Sequence, residues 1–195
     1  MPRILLGVTG GIAAYKMADL AGALIKYGCE VRVIMTESAK KFITPLTMAT
    51  QSKNPVLDDS SEWIADGIIK HIELGKWLKD PGDMFVIAPA TANTIAKLVG
   101  GIADNLLTST YLARPYNTTV ILFPAMNTKM WENHETQENV GVLRTRHFHT
   151  VIDPEVGLLA CGDYGIGKLP SIRTIVEAIK TQMPNNITFE EKVKR

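Results

Sequence analysis

Apolar positions along the chain alternate between two rhythms. Arg3-Ile4-Leu5-Leu6-Gly7-Val8 is a short, nearly unbroken apolar run closed by Thr9-Gly10-Gly11, the pattern of a buried strand. Behind it Ala13, Ala14, Met17, Leu20, Ala21, Leu24 and Ile25 recur at helical spacing, with Lys16, Asp19 and Lys26 opposite. Gly28 supplies a helix stop, and residues 30–35 alternate into a second strand. Residues 84–88 and 120–123 are two more apolar runs, each followed by proline and a helix-competent segment. Thr150-Val151-Ile152 predicts a last strand, and Ser171 caps a final helix over 171–183. Residues 53–70 and the Gly-rich stretch 154–170 read as irregular, mobile loops.

Strands alternating with helices predict an α/β fold, a doubly wound parallel sheet of Rossmann-like type in a single domain. The domain is expected to span 1–184, with 185–195 as a polar, frayed tail; no repeat or linker interrupts it. With 195 residues, 46% hydrophobic and 21% charged, the chain has material for one large core. A formal charge of +1 gives no field for steering nucleic acid or an anionic membrane, so any anion must be held locally. Cys29 and Cys161 are too few and too far apart for a disulfide framework, and no Cys/His spacing suggests a metal site. No signal peptide or membrane-length apolar stretch is evident, so a soluble, reduced, cytoplasmic protein is expected.

Several loops carry chemistry. Gly10 and Gly11 sit where a strand turns into a helix, where backbone amides can approach a phosphate. The spacing is not the full G-x-G-x-x-G, which favours a mononucleotide over a dinucleotide, and a tight turn of small residues accounts for it equally well. Pro89-Ala90-Thr91-Ala92-Asn93-Thr94 also follows a strand; helix capping alone explains its hydroxyls and amide. Two such polar helix starts, with Thr36 and Ser38 after the second strand, tip the balance toward one shared phosphorylated cofactor. Residues 101–108 could wall the same site. Pro124-Ala125-Met126-Asn127-Thr128-Lys129-Met130-Trp131 empties a strand into an amide, two thioethers and an indole. Asn127 can hold a carboxylate or a flavin edge, or simply cap a helix. His71 is a lone histidine of ambiguous context, yet imidazole moves protons near neutral pH. His134, His147 and His149 lie in a polar, surface-like region. Cys161, flanked by Gly162 in a glycine-rich segment, is either a small hydrophobe or a proton donor on a mobile lid. Lys168 on that segment is a candidate for a substrate anion, or a solvated side chain.

Taken together, Thr9-Gly10-Gly11-Ile12-Ala13-Ala14-Tyr15-Lys16, His71-Ile72-Glu73-Leu74, Pro89-Ala90-Thr91-Ala92-Asn93-Thr94, the octapeptide 124–131 and Ala160-Cys161-Gly162-Asp163 resemble the flavin-containing cysteine decarboxylases. The resemblance runs over about residues 4–178 and implies a Rossmann-like flavoprotein that binds FMN. It implies FMN contacts from Gly10, Gly11, Ile12, Thr36, Thr91, Ala92, Asn93, Thr94 and Met126. Asn127, Ala160 and Cys161 would meet substrate, with Asn127 on its carboxylate, His71 as acid/base and Cys161 as proton donor. It implies FMN between subunits of a trimer, with dodecamers a further possibility. The reaction implied is decarboxylation of 4′-phosphopantothenoylcysteine to 4′-phosphopantetheine in coenzyme A biosynthesis. Flavin oxidation to a thioaldehyde, loss of CO₂ and re-reduction of the ene-thiol would accomplish it. A C-terminal synthetase domain accompanies many such decarboxylases, and none is read here. Peptidyl-cysteine decarboxylases lack the reductive cysteine, so Cys161 speaks against that alternative. A non-catalytic, FMN-binding phosphatase-regulatory subunit would be expected to carry acidic extensions or a lost catalytic residue. A Rossmann-like nucleotide binder without catalysis is the plainest alternative.

Overall fold

The computed structural model describes residues 1–185 and 187–191. Strand β1 (Arg3–Val8) leads through a 3-10 turn (Ile12–Lys16) into helix α1 (Met17–Lys26) and strand β2 (Glu30–Met35). Helix α2 (Pro45–Ser52) follows, begun by the Thr44 hydroxyl and by Pro45 in its first turn. Then come β3 (Val56–Leu57), a 3-10 turn (Asp59–Trp63), α3 (Lys70–Trp77), β4 (Met84–Ala90), α4 (Ala92–Gly100) and α5 (Leu106–Ala113). β5 (Thr119–Pro124), α6 (Thr128–Glu132), α7 (His134–Thr145) and β6 (His149–Val151) complete the central layer. A hairpin of β7 (Glu155–Leu158) and β8 (Tyr164–Lys168) precedes α8 (Ile172–Thr181), which Ser171 caps as expected.

The six-stranded sheet runs β3-β2-β1-β4-β5-β6, and every pairing in it is parallel. Its two faces explain why the strands read as continuous apolar runs. Ile4, Leu6 and Val8 pack toward Met17, Leu20, Leu24, Ile175 and Ile179 of α1 and α8. Leu5, Phe85, Ile87, Val120 and Leu122 point the other way, toward Leu74, Ile95, Leu107 and Val140 of α3, α4, α5 and α7. Burying both faces removes the polar alternation of a half-solvated strand. Strand order reverses between β1 and β4, and such a switch point opens a crevice beyond the strand ends. Among the described residues no helix is long and apolar enough to cross a membrane.

Three expectations need correction. Residues 53–70 are not wholly irregular: β3 adds an edge strand, and Asp58 closes a capping box on the turn behind it, accepting from Ser60 N (3.0 Å). Burial pushes the Asp58 carboxyl up, but hydrogen bonds from Lys40 (2.7 Å) and Ser60 outweigh it and hold it below the usual carboxylate value. The stretch 154–170 is an antiparallel hairpin, paired from Glu155–Lys168 to Leu158–Tyr164. Finally, Phe189 in the expected frayed tail is buried and stacks on Tyr27, ring centroids 4.9 Å apart. Asn186 and residues 192–195 of that tail lie outside the described residues.

Candidate active site

The loops after β1, β4 and β5 converge at the carboxyl end of the sheet, and the β7–β8 hairpin lies across them. Together they enclose a cavity of about 480 Å³, a size that suits a cofactor or drug-sized ligand. Gly10, Gly11 and Ile12 form one wall, Thr91 and Ala92 a second, Met126 and Asn127 a third, and Ala160 and Cys161 the hairpin side.

Each wall follows from local sequence. Gly10 is required because a Cβ there would lie 2.2 Å from the Ser38 Cβ, so only glycine lets the loops after β1 and β2 touch. At Gly11 an added Cβ meets nothing within 4 Å, and the turn it begins has no side-chain cap. Its first N–H groups therefore have no capping side chain, and Gly11 and Ile12 line the cavity where such amides can serve an anion. Thr9, 1% exposed, ties the first two walls: its hydroxyl donates to Pro89 O (2.6 Å) and accepts from Thr91 N (3.1 Å). Pro89 follows a cis peptide bond. The Thr91 hydroxyl caps α4 by accepting from Thr94 N (3.2 Å).

Asn127 serves two partners at once. Its Oδ1 caps α6 by accepting from Lys129 N (2.9 Å), which fixes the amide. Its Nδ2 donates to Cys161 Sγ at 3.3 Å, so residues 34 apart in sequence meet inside the cavity. The Cys161 thiol in turn donates to Asp163 Oδ2 (3.4 Å). The hairpin reaches this position through its base. Met126 N donates to Gly167 O (3.0 Å), and Gly167, at φ +140, passes so near that an added Cβ would stand 2.1 Å from Met126 O.

Several sequence candidates do not line the cavity, Ser38 and residues 101–108 among them. Thr36 is half-buried and its hydroxyl accepts from Ala39 N (3.3 Å). Thr94 is buried and its hydroxyl accepts from that of Thr91 (3.1 Å), while Asn93 is exposed. His71 stands on α3, on the opposite face of the sheet from α1. Glu62 grips it twice, accepting from its backbone N (3.1 Å) and pairing with its Nδ1. The Glu62 turn is docked by Asp59, which accepts from Leu106 N at the start of α5 (2.8 Å). Exposed Trp63, Ile64, Ile68, Ile69 and Ile72 surround this corner. Residues unassigned from sequence also face the cavity: Tyr15, Lys16, Met130, Leu158, Leu159 and Leu169. Lys168 lines it too, as considered from sequence. Thr9 could have been singled out from its place between strand and glycines, but its partners 80 and 82 residues away could not.

The donor set suits a flavin mononucleotide. Uncapped backbone amides and a threonine-capped helix start offer phosphate and ribityl partners, and Ile12, Ala125, Met126 and Met130 offer apolar surface for a ring.

Comparison with known proteins agrees with this arrangement. The Flavoprotein family model matches residues 1–183. A probable phosphopantothenoylcysteine decarboxylase of Streptococcus mutans is 46% identical over 181 residues, 93% of this chain and 98% of the relative. The coenzyme A biosynthesis bifunctional protein CoaBC of Vibrio vulnificus is 46% identical over 167 residues, 86% of this chain, which spans 40% of that longer protein. Among solved structures, a PPC decarboxylase variant complexed with pantothenoylaminoethenethiol superposes with TM-score 0.83 at 34% identity, covering 92% of this chain and 97% of the other. An FMN-binding protein superposes with TM-score 0.80 at 34% identity, covering 92% and 95%. With its switch-point cavity, glycine turn and octapeptide loop, the chain belongs to the Flavoprotein family.

Proposed function

We propose that this chain is an FMN-dependent decarboxylase that converts 4′-phosphopantothenoylcysteine to 4′-phosphopantetheine in coenzyme A biosynthesis. The observation that carries the reading is the meeting of Asn127 and Cys161 at 3.3 Å across the cavity. It joins a carboxylate-binding amide to a proton donor beside a flavin-sized space. The relative of 46% identity, matched along 98% of its length, supports the same substrate.

Loss of CO₂ from a cysteinyl carboxylate leaves a carbanion with no resonance partner. FMN, when bound, supplies the missing electron sink by reversible two-electron oxidation of the carbon that bears sulfur. The chain's residues do the remainder. Gly10, Gly11, Ile12, Thr91, Ala92 and Met126 hold the cofactor, and Thr36 and Thr94 brace the neighbouring loops by their hydrogen bonds. The Asn127 amide, fixed by its capping bond, orients the substrate carboxylate. His71, steadied by Glu62, takes the substrate thiol proton. Cys161 protonates the carbon that has lost CO₂, and Ala160 and its neighbours on the hairpin cover the site.

His71 lies outside its own chain's cavity, among exposed apolar side chains of the kind that mark association surfaces. A trimer in which His71 reaches a neighbour's cavity accounts for both facts, and trimers would be free to assemble into a dodecamer. The thiol role of Cys161 fits the reducing cytoplasm. The bifunctional relatives point to a companion synthetase activity that supplies the substrate. The reading is tested with Cys161→Ser, which should form CO₂ but release an oxidised ene-thiol. Normal reduced product from that variant would remove the assignment.

A further inference from the structure

Decarboxylation consumes one proton: the C–C bond to the carboxylate breaks, its electron pair stays on the substrate, and a C–H bond forms at that carbon. The hydride taken from substrate is returned to it and cancels. In the reading above the proton comes from the Cys161 S–H bond, whose electron pair remains on sulfur as a thiolate until a solvent proton restores the thiol. The donor must therefore be present, protonated and held in place at the moment CO₂ leaves.

We propose that Asp163 is the positioning residue for this step. It anchors the Cys161 thiol by accepting its S–H bond, and so keeps the proton donor beside the Asn127 amide. The inference rests on the decarboxylase reading and concerns its second half. Sγ is held from two sides, as acceptor from Asn127 Nδ2 at 3.3 Å and as donor to Asp163 Oδ2 at 3.4 Å. Two partners define one rotamer for a side chain that is otherwise exposed at a hairpin tip. A carboxylate is a stronger acceptor for S–H than water is, because the bond is charge-assisted. The tip closes without this side chain. Leu159 N donates to Asp163 O (2.8 Å), Gly162 N donates to Leu159 O (2.9 Å), and Gly162 takes φ +90. Removing the carboxylate therefore leaves the turn intact and frees the thiol. When substrate arrives, rotation about the Cβ–Sγ bond turns the proton from Asp163 to the reacting carbon, with Sγ itself kept in place by Asn127.

The test compares FMN-loaded wild type, D163A and D163N on 4′-phosphopantothenoylcysteine, with CO₂ and both products counted by mass. CO₂ is the internal control, since general damage to the fold lowers CO₂ and both products together. D163A should raise the ratio of oxidised ene-thiol to 4′-phosphopantetheine at least tenfold. D163N, which keeps an acceptor oxygen of the same reach, should fall between D163A and wild type. A second readout needs no turnover. Cys29 is buried, so alkylation of the flavin-free protein reports Cys161. The rate with anionic iodoacetate relative to neutral iodoacetamide should rise at least threefold in D163N, as a negative charge beside the sulfur is removed. An unchanged product ratio in D163A, or an unchanged alkylation ratio in D163N, overturns the proposal. Wild type that releases no CO₂ would sink the decarboxylase reading instead, and the alkylation ratio would still judge the contact between Asp163 and Cys161.

Discussion

Thr9→Val is the sharpest probe of how the cavity is built. Valine keeps the shape of threonine, so no void opens and the loss is that of a single hydroxyl. That hydroxyl serves Pro89 O at 2.6 Å and Thr91 N at 3.1 Å, from a position 1% exposed. Pro89 is buried, and a carbonyl stranded there costs about 1–3 kcal/mol. The Thr91 N–H borders the cavity and can turn to water, so its share is about 1 kcal/mol. The sum is about 2–4 kcal/mol. With a slope toward the upper end of the usual range, the urea midpoint should drop by about 1 M. Thr9→Ser keeps both bonds and loses one methyl group, so it should cost about 1 kcal/mol. Equilibrium unfolding of flavin-free protein at fixed concentration measures both, and fluorescence titration with FMN should show weaker binding for the valine variant. A valine variant within 0.5 kcal/mol of wild type would refute the idea that this hydroxyl ties the first two walls together.

Four more outcomes follow. Gly10→Ala forces a methyl group 2.2 Å from the Ser38 Cβ and should cost about 1–3 kcal/mol by overpacking. Gly11→Ala has open space and extended backbone at φ −164, so it should leave urea stability unchanged yet weaken FMN binding by filling the cavity. Acid should destabilise the protein through His149. Its Nδ1–H donates to His147 O (2.8 Å), and its Nε2 accepts from Tyr111 Oη (2.7 Å) and Arg114 (3.2 Å), so the ring is neutral. Burial, then the Arg114 and Arg146 guanidiniums, lower its pKa below 6.5, so the unfolded chain takes the proton more readily. The His149 contribution is present in full above about pH 6.5 and is lost as pH falls toward the lowered folded-state value. Wild type should thus lose more stability between pH 7.5 and 5.5 than His149→Gln; equal losses would remove His149 as the cause. For the proposed trimer, inactive His71→Asn and Asn127→Ala chains, unfolded together and refolded as mixed oligomers, should recover about a quarter of wild-type activity. That fraction is the chance that a site draws each intact residue from a different subunit. No recovery in verified mixed trimers would place His71 in its own chain's site.

The strands legible in the sequence were those buried on both faces. β1, β4 and β5 carry unbroken apolar runs because helices cover both sides of each. The strands that escaped notice have little burial to report. β3 is two half-buried residues, and the hairpin exposes Val156, Leu158 and Tyr164. Its strands are set by backbone pairing and by the close passage of Gly167 over Met126. The cavity was legible where chemistry lies in contiguous residues, as in Gly10-Gly11-Ile12 and Met126-Asn127. It was not legible where direction decides. Thr94 turns inward to its cap partner, Thr36 bonds back to Ala39 N, and His71 sits on α3 in the grip of Glu62, outside the cavity. The spacing of polar residues identifies the loop that holds a group but not the direction in which the group points. Phe189 illustrates the same limit, since a polar neighbourhood hid an aromatic ring whose partner, Tyr27, is remote in sequence.

The central claim is that this cavity holds FMN and decarboxylates a phosphorylated cysteinyl substrate. Its most direct test is the visible spectrum of the purified protein before and after anaerobic 4′-phosphopantothenoylcysteine, with products identified by mass. The account predicts a flavin spectrum with release of CO₂ and 4′-phosphopantetheine. A protein that shows no flavin even after reconstitution with FMN, or a flavin-loaded protein that leaves this substrate untouched, would contradict it.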